Sequence, residues 1–386
     1  MKIVHTSDWH VGRRWKGILR LDEMAAVLDG LSSFIERESV DLVLHTGDVF
    51  DSRNPPAEAE RLVNNFFVRV GRAGAHMVVI AGNHDDPERL DARSLLAEYA
   101  NVKILGKARS TRQGGHIVIE TRSGDKAAVG ALPFASTGAW VSALDLAGDE
   151  ASARSKYARM FQRAVQNLSQ PFRSDTVNIL MAHTHLEGAA FGDSERRVHI
   201  SEDWAATAQT LPTTASYIAL GHIHKPQKVG GTVPAYYAGS PLQMDFGEVG
   251  QVKTFVVVTA TPGRPAKIEH VPYEGGLPLV DLRATLQELE GIADRNRSGC
   301  WMRVTVPIEE SDPDINRKVR ELLPNAIIVR PELRGVEQRR SIRPAEGASP
   351  AEYYSAYHVH EHQVEPSADV VETFQQLHSD ASGSES

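Results

Sequence analysis

Short apolar runs, each ending in polar or glycine residues, recur along roughly the first two thirds of the chain. Each run is typical of a buried β-strand that stops at a polar loop. The runs are KIVHTSD, DLVLHTGD, HMVVIAGNHD, NILMAHTH, YIALGHIH and TFVVVTA. Apolar residues recur at helical spacing over 22–38 and 57–72, between the first three runs. This alternation of strands and helices predicts parallel pairing through right-handed crossovers.

Further strands are predicted at 116–120, 126–132 and 267–271, without regular helices between them. They indicate a second, more mixed sheet packed on the first, and hence a layered α/β sandwich. A smaller α/β unit follows, with strands predicted at 279–282, 300–306 and 326–329 and helices at 285–293 and 313–323. Because it is near the size limit for folding alone, we expect it to lean on the first domain.

The C-terminal tail carries helix signals despite its acidity. Ser349-Pro350-Ala351-Glu352 is a capping box with proline at the first helical position. Val370, Val371, Phe374 and Leu377 form the apolar stripe of a second predicted helix. Two such short helices need a partner surface to bury their apolar faces. Residues 379–386 are Ser, Gly, Ala, Asp and Glu, and we expect them to be disordered.

The composition is that of a folded globular protein, with 41% hydrophobic and 24% charged residues. The sequence lacks an apolar run of about 18 residues, and its first ten residues turn polar early, so we expect no membrane span, no signal peptide and a cytoplasmic location. The single cysteine, Cys300, excludes an internal disulfide and a site made of several cysteines. Any metal must therefore be held by nitrogen and oxygen.

The net charge of −8 resides in the tail, since the acidic residues after Arg343 equal the whole excess and no Lys or Arg follows. The body is neutral overall, and 295–343 has more basic than acidic residues. Another basic segment, 9–21, contains no acid. It is either a solvated loop or a contact for DNA phosphates. Its basic residues are Arg13, Arg14, Lys16 and Arg20.

Polar residues cluster where the predicted strands end. In a parallel sheet the carboxyl ends of the strands lie on one edge, where ligands bind. Asp, His and Asn at these ends suit Mn²⁺, Fe²⁺ or Zn²⁺. Glycine precedes Asp48, Asn83 and His222, and its missing Cβ allows close approach to a crowded centre. The polar strings are DWH (8–10), GDVFD (47–51), GNHDD (82–86), AHTH (182–185) and GHIH (221–224).

These strings, in this order, resemble the calcineurin-like metallophosphoesterases, whose signature is D-x-H, G-D-x-x-D, G-N-H-D/E, H and G-H-x-H. More narrowly, the chain is similar to the nuclease subunits of bacterial repair complexes that pair a nuclease with an ATPase. The resemblance is strong over 1–275 and weak beyond. The strings that carry the narrower resemblance are HTSDWHVGR, GDVFDSRNPP, GDSERR (192–197) and YYAGSPLQMDFGE (236–248).

The resemblance implies a two-metal centre occupied by Mn²⁺, with Fe²⁺ or Zn²⁺ as alternatives. His84, next to a ligand, would face the scissile phosphate and donate a proton to the leaving oxygen. His183 and His185 compete for the ligand role of the fourth motif, and His183 is preferred because it directly follows its strand. One ion would be held by Asp8, His10, Asp48 and His224, and the other by Asp48, Asn83, His183 and His222.

The resemblance also implies the architecture and the partners. We expect a four-layer α-β-β-α metallophosphoesterase sandwich over 1–274, an α/β DNA-binding cap domain over 275–343 and an acidic helical partner-docking tail over 344–378. The implied partners are an ATPase, double-stranded and single-stranded DNA, and a second copy of the chain within a heterotetramer. No organic cofactor is implied, and ATP acts only through the partner.

Two other functions are compatible with parts of the pattern. A phosphoesterase for small molecules or phosphoproteins would use the same metals, but would not require the cap or the basic loop. A non-catalytic scaffold would retain the fold without the ligands, whereas every signature position is present here. A DNA nuclease is therefore the leading interpretation.

Overall fold

The computed structural model describes residues 1–135, 150–190, 206–296, 299–333, 349–362 and 365–383. The chain divides into two compact units. The first comprises Met1–Val306 and Pro313–Pro331, and the second comprises Pro307–Asp312 and Glu332–Ser386. No helix of the described residues is long and apolar enough to cross a membrane.

The first sheet has six strands, four of them parallel. They are β1 (Lys2–Thr6), β4 (Leu42–His45), β5 (His76–Ile80), β6 (Val102–Leu105), β13 (Thr254–Thr259) and β14 (Lys267–Pro272). Their order is β14-β13-β1-β4-β5-β6. The parallel strands β1, β4, β5 and β6 follow the predicted crossovers, and β13 runs antiparallel to β1. The prediction placed 267–271 in the second sheet and was wrong, because a short turn folds β14 back onto β13 as a hairpin.

The second sheet also has six strands. They are β7 (His116–Glu120), β8 (Lys126–Leu132), β9 (Val177–His183), β10 (Tyr217–Gly221), β11 (Gln227–Val229) and β12 (Ala235–Tyr237). In the order β11-β12-β10-β9-β8-β7, the four inner strands are parallel and both edge strands are antiparallel to their neighbours, so the sheet is mixed as predicted. A small hairpin, β2 (Arg14–Trp15) and β3 (Ile18–Leu19), follows the first polar loop.

Helices cover the outer faces of the two sheets. They are α1 (Leu21–Arg37), α2 (Ala57–Arg72), α3 (Pro87–Ala97) and α4 (Glu150–Ser169). The helix α4 was not predicted, although Tyr157, Phe161, Val165 and Leu168 recur at helical spacing and are buried. The helix α4 therefore lies between β8 and β9 in the chain, where the sequence predicted a connection without a regular helix.

Three apolar cores separate the layers. They arise because successive side chains of a strand point alternately to the two faces of its sheet. In β1, Val4 faces the core under α1 and α2, whereas Ile3 faces the core between the sheets. In β9, Ile179 joins the core between the sheets and Leu180 the core under α4. The two six-stranded sheets and helices α1 to α4 therefore form a four-layer α-β-β-α sandwich, as expected.

A smaller three-stranded sheet follows, and all its predicted elements are present. They are β15 (Leu279–Arg283), α5 (Leu286–Asn296), β16 (Trp301–Ile308), α6 (Ile315–Leu322) and β17 (Ala326–Leu333), with the strands in chain order. The sheet leans on the sandwich, because Leu279 and Trp301 pack in one cluster with Trp15 and Phe246. In addition, the indole N–H of Trp301 donates to Glu23 Oε1 at 2.8 Å. The predicted cap residues 334–343 lie outside the described residues.

The second unit contains helices α7 (Pro350–His362) and α8 (Ala368–Gly383), which pack on each other. The predicted capping box is present: Ser349 N donates to Glu352 Oε2 at 2.6 Å, and Glu352 N donates to Ser349 Oγ at 3.3 Å. The rings of Tyr354 and Phe374 stack with centroids 4.5 Å apart. The helix α8 ends at Gly383, within the segment 379–386 for which disorder is predicted, and residues 384–386 lie outside the described residues.

Candidate metal centre

The predicted ligands converge at the carboxyl ends of the strands of both sheets. His10 Nε2 lies 3.0 Å from His224 Nε2. Asn83 Oδ1 lies 2.9 Å from His183 Nε2 and 3.0 Å from His222 Nδ1. Asp48 Oδ2 lies between the two groups, 3.6 Å from both His10 Nε2 and His183 Nε2. This central position is the one that a bridging carboxylate occupies.

Asp8 completes the cluster at the end of β1. Its carboxylate groups with His10 and His224, and also with Asp48 and His183, with the ligand atoms of each group within 4.8 Å of one another. The main-chain N–H of His222 donates to Asp8 Oδ1 at 3.0 Å. These groups include His183 and not His185, which agrees with the preference drawn from the sequence.

The backbone at this edge adopts left-handed conformations that residues other than glycine rarely occupy. Asp8, His10 and Asp48 have φ values of 51°, 46° and 55°, and His222 has 103°. Hydrogen bonds between neighbouring loops hold them, since Asp8 N donates to Gly47 O and His10 N donates to Asp48 O, both at 3.0 Å. Such strain, about 1–3 kcal/mol each, is characteristic of functional sites.

Glycines beside the ligands are required by close packing. A Cβ on Gly82 would fall on the Asp48 carboxylate, and one on Gly47 would fall on the imidazole of His183. Both loops can approach the centre only because these positions lack a side chain. The sequence-based interpretation of the glycines that precede Asp48 and Asn83 is therefore supported by the geometry.

Electrostatics keep the cluster in the protonation states that bind metal. Burial lowers the pKa of His10 to about 4 and the pKa of His222 well below its ordinary value, so both imidazoles are neutral near pH 7. Burial alone would raise the pKa of Asp48, but its polar neighbours, led by His183 and including the main-chain N–H of His84, hold it below its usual range. Neutral imidazoles and an ionised carboxylate all present lone pairs that can bind a metal ion.

The arrangement fits divalent cations. His183 Nδ1 donates to Thr46 O at 2.8 Å, so its Nε2 carries a lone pair that faces Asn83 Oδ1, another acceptor. Two acceptors facing each other repel, and a cation bound to both atoms would remove the repulsion. Nitrogen and oxygen donors without thiolate suit Mn²⁺, Fe²⁺ or Zn²⁺. The buried polar cluster is thus explained by metal binding better than by mutual hydrogen bonding.

His84 lies at the rim of the centre. Its main-chain N–H donates to Asp48 Oδ1 at 2.8 Å, and its Nδ1 donates to the carbonyl oxygen of Asp51 at 2.9 Å. Its ring meets the His10 ring edge-on, with centroids 4.6 Å apart. The side chain is half-buried, so its Nε2 remains next to the ligand cluster and within reach of a substrate.

The predicted basic loop is divided by the structure. Arg14 and Lys16 are exposed on the β2–β3 hairpin, and Arg13 is half-buried beside it. Arg20, however, is buried and donates from Nε and Nη2 to the carboxylate of Glu23 at 2.8 and 2.6 Å. Arg20 is therefore removed from the predicted DNA contacts, because its guanidinium is engaged inside the protein.

Two buried carboxylates behind the ligands, Asp85 and Glu248, support the ligand loops and are not among the predicted site residues. Asp85, which belongs to the string GNHDD, accepts N–H bonds from Val49, Phe50 and Gly82 at 2.9–3.2 Å and so links two ligand loops. Burial and the Asp48 carboxylate raise the pKa of Asp85 to about 7, which the three N–H donors oppose. Glu248 was missed as a functional residue, although it is the last residue of the string YYAGSPLQMDFGE that carries the narrower resemblance.

Comparison with known proteins agrees with this geometry. The family model of the calcineurin-like phosphoesterases matches residues 1–226, which contain every predicted ligand. The SbcD subunit of nuclease SbcCD from Bacillus subtilis (strain 168) is 35% identical over 338 residues, covering 86% of this chain and 85% of the relative. The GDSERR segment of the narrower resemblance lies outside the described residues.

Two further relatives carry the same name. The SbcD protein of Escherichia coli (strain K12) is 31% identical over 336 residues, covering 83% of this chain and 82% of the relative. That of Rhodobacter capsulatus is 31% identical over 320 residues, covering 77% and 78%. The matched lengths reach well beyond the metal centre in every case. The chain therefore belongs to the calcineurin-like phosphoesterase family and, within it, to the SbcD nucleases.

Proposed function

We propose that this chain is the nuclease subunit of an SbcCD-type complex and cleaves phosphodiester bonds at DNA ends and hairpins, as a 3′–5′ exonuclease and an endonuclease. An SbcC-type ATPase controls it, and the complex acts in the cytoplasm in DNA repair, recombination and replication. The observation that carries the proposal is the convergence of buried carboxylate, imidazole and amide groups around Asp48. The relatives that are named as SbcCD nucleases support the choice of substrate.

The centre holds two Mn²⁺ ions, with Fe²⁺ or Zn²⁺ as alternatives. When bound, the ions supply Lewis acidity, which lowers the pKa of water and draws charge from the phosphate. Asp48 lies between both halves of the cluster and holds them together. One half is Asp8, His10, Asp48 and His224, and the other is Asp48, Asn83, His183 and His222.

His84 serves as the proton donor to the leaving oxygen. The hydrogen bond from its Nδ1 to the Asp51 carbonyl oxygen fixes the ring, so that Nε2 presents the transferable proton when the imidazole is charged. The bond from its main chain to Asp48 sets the distance of the ring from the centre. His84 thus acts on the substrate and leaves the ligand role to its neighbour Asn83.

Basic residues in and beside the β2–β3 hairpin bind the DNA backbone. Arg13, Arg14 and Lys16 directly follow the ligand His10, so phosphates next to the scissile bond meet them first. The cap of 275–343 extends the contact to double-stranded and single-stranded DNA. Some of its charge is already neutralised, since Arg303 pairs with Asp281 and Arg317 with Glu321. Binding is therefore expected to depend on salt but with a moderate slope.

Two surfaces serve protein partners. Val68 on α2 and Leu95 on α3 are exposed at 42% and 75%, and Leu96 and Tyr99 follow at 78% and 92%; this patch joins two copies of the chain. The tail of 344–378 docks on the SbcC-type ATPase, which completes a heterotetramer. No organic cofactor is needed, and ATP acts only through the partner.

A cleavage assay tests the proposal. The purified chain is incubated with linear and hairpin DNA and Mn²⁺, with and without an SbcC-type ATPase and ATP. We expect Mn²⁺-dependent cleavage, little support from Mg²⁺, stimulation by the partner and no cleavage by Asp48→Asn. Hydrolysis of a small phosphoester with no cleavage of DNA under any condition would show that the metal centre serves another substrate class.

A further inference from the structure

We propose that Glu248 and Lys253 form a buried ion pair that positions His224 for metal binding. Both are positioning residues, since neither faces the substrate. The inference rests on the metal centre proposed above and assigns a role to residues that lie outside the phosphoesterase signature. Glu248 and Lys253 are exposed by only 1% and 7%.

The pair contacts His224 from two directions. Lys253 Nζ lies 2.7 Å from Glu248 Oε2 and donates to the carbonyl oxygen of His224 at 3.0 Å. Glu248 Oε1 lies 3.8 Å from Nδ1 of the His224 ring. One charge therefore holds the main chain of the ligand, and the other lies beside its imidazole.

The carboxylate determines how the His224 ring presents its lone pair. A negative oxygen beside Nδ1 favours the tautomer that carries its proton there. The lone pair then resides on Nε2, which is the atom that lies 3.0 Å from His10 Nε2. Glu248 thus directs the donor atom of His224 toward His10, the other imidazole in the same half of the cluster.

The pair is held by its own turn, so its position does not depend on solvent. Glu248 Oε2 accepts the N–H of Met244 at 2.9 Å, and the Gln243 side-chain amide donates to Glu248 O at 2.9 Å. Ser240 N adds a second donor to the His224 carbonyl oxygen at 3.0 Å. A preorganised support of this kind reduces the freedom that the ligand would lose on binding metal.

Stability alone does not explain the pair. Removing two charges from water offsets most of their attraction, so a buried ion pair adds little net stability over apolar packing. The chain offers a matched comparison in Arg20 and Glu23, another buried pair, 2.6 Å apart, which supports a turn and contacts no predicted ligand among the described residues. Of these two pairs, only Glu248 and Lys253 touch the metal centre.

The first test compares Glu248→Gln with Glu23→Gln. Mn²⁺ binding is measured by calorimetry, and the bound ions are examined by electron paramagnetic resonance. We expect the parent chain and Glu23→Gln to bind two coupled ions. Glu248→Gln should retain one ion and bind the other about 10–100-fold more weakly, with the spectrum of an isolated Mn²⁺.

A second pair of variants keeps the test decisive if Glu248→Gln does not fold. Lys253→Arg retains the charge, and Lys253→Met removes it; we expect only the latter to weaken the ion that His224 holds. Equal affinities and spectra in these two variants, or a Glu248→Gln variant identical to the parent, would overturn the inference alone. A parent chain that binds no pair of ions would instead overturn the metal centre, and this inference with it.

Discussion

The metal centre and the helical tail bury and expose opposite kinds of side chain. At the centre, Asp8 and His224 are exposed by 0% and 2%, although both are polar. In the tail, Tyr357 and Leu377 are apolar or aromatic and exposed by 56% and 64%. Buried polar groups need partners, and exposed apolar helices need a covering surface. The first region therefore fits cations, and the second presents apolar side chains that a protein partner could cover.

The largest effect is expected from Asp48→Ala, which should abolish the function of the metal centre and leave that of the tail intact. Because Asp48 lies between both halves of the cluster, both ions should be lost together. Cleavage should fall at least ~10³-fold, since bound cations supply several kcal/mol of charge stabilisation. Metal content and cleavage rate are measured on the same preparation, and association with the ATPase should be unchanged. Two ions at full occupancy in this variant would contradict the bridging role.

Deleting residues from 345 onward is the reciprocal change. We expect the truncated chain to lose association with an SbcC-type ATPase and all ATP-stimulated digestion, because the deletion removes α7 and α8, the proposed docking helices. Mn²⁺ binding and partner-free cleavage should remain, as the ligands all lie before residue 226. Co-purification with the ATPase tests this directly. Undiminished affinity would assign the docking surface elsewhere.

The next largest effect is expected from His84→Gln, which distinguishes a proton donor from a metal ligand inside the metal centre. His84→Gln should retain both ions and DNA binding, but reduce turnover on the order of 10²–10⁴ as a lost proton donor does. Metal titration and DNA binding are compared with single-turnover rates. A parallel loss of metal and activity would identify His84 as a ligand, a role that its grouping with His10 and Asp48 makes geometrically open.

The smallest effect concerns crowding. Gly82→Ala places a methyl group against the Asp48 carboxylate and should destabilise the fold by about 1–3 kcal/mol while weakening metal binding. Gly230→Ala is the control, because nothing lies within 4 Å of the added carbon. Thermal unfolding with and without Mn²⁺ distinguishes the two. Equal stability of both variants would mean that the ligand loops are less tightly packed than the structure indicates.

Local patterns predicted most of the fold and which side chains come together at the strand ends, because strand ends, caps and helix faces are set by neighbouring residues. The fate of Arg20 could not be predicted, since Gln243 O and Leu277 O, which it also contacts, are more than 200 residues away in sequence. Glu248 escaped notice for the same reason, as its burial depends on how its turn meets His224. The sheet that receives β14 was mistaken because strand patterns do not encode their neighbours.

The helix α4 illustrates a different limit. Its apolar positions and a start signal, Asp149 before Glu150, are present in the sequence. The short apolar runs on either side nevertheless favoured a mixed sheet without a regular helix. The left-handed backbone at Asp8 and Asp48 was also beyond sequence reasoning. Asp tolerates that conformation more readily than most residues, yet only the loop hydrogen bonds determine that it is adopted.

The strand order of the first sheet has a consequence for translation. β1 is synthesised before the other strands of its sheet, but its antiparallel register pairs Lys2 with Thr259, so one edge of β1 stays open until β13 has been made. Asp8 likewise waits for His222, which is 214 residues away. At about 5–20 residues per second, that interval is roughly 10–40 s. A chain released before residue 222 therefore lacks His222 and His224 and has no complete metal centre.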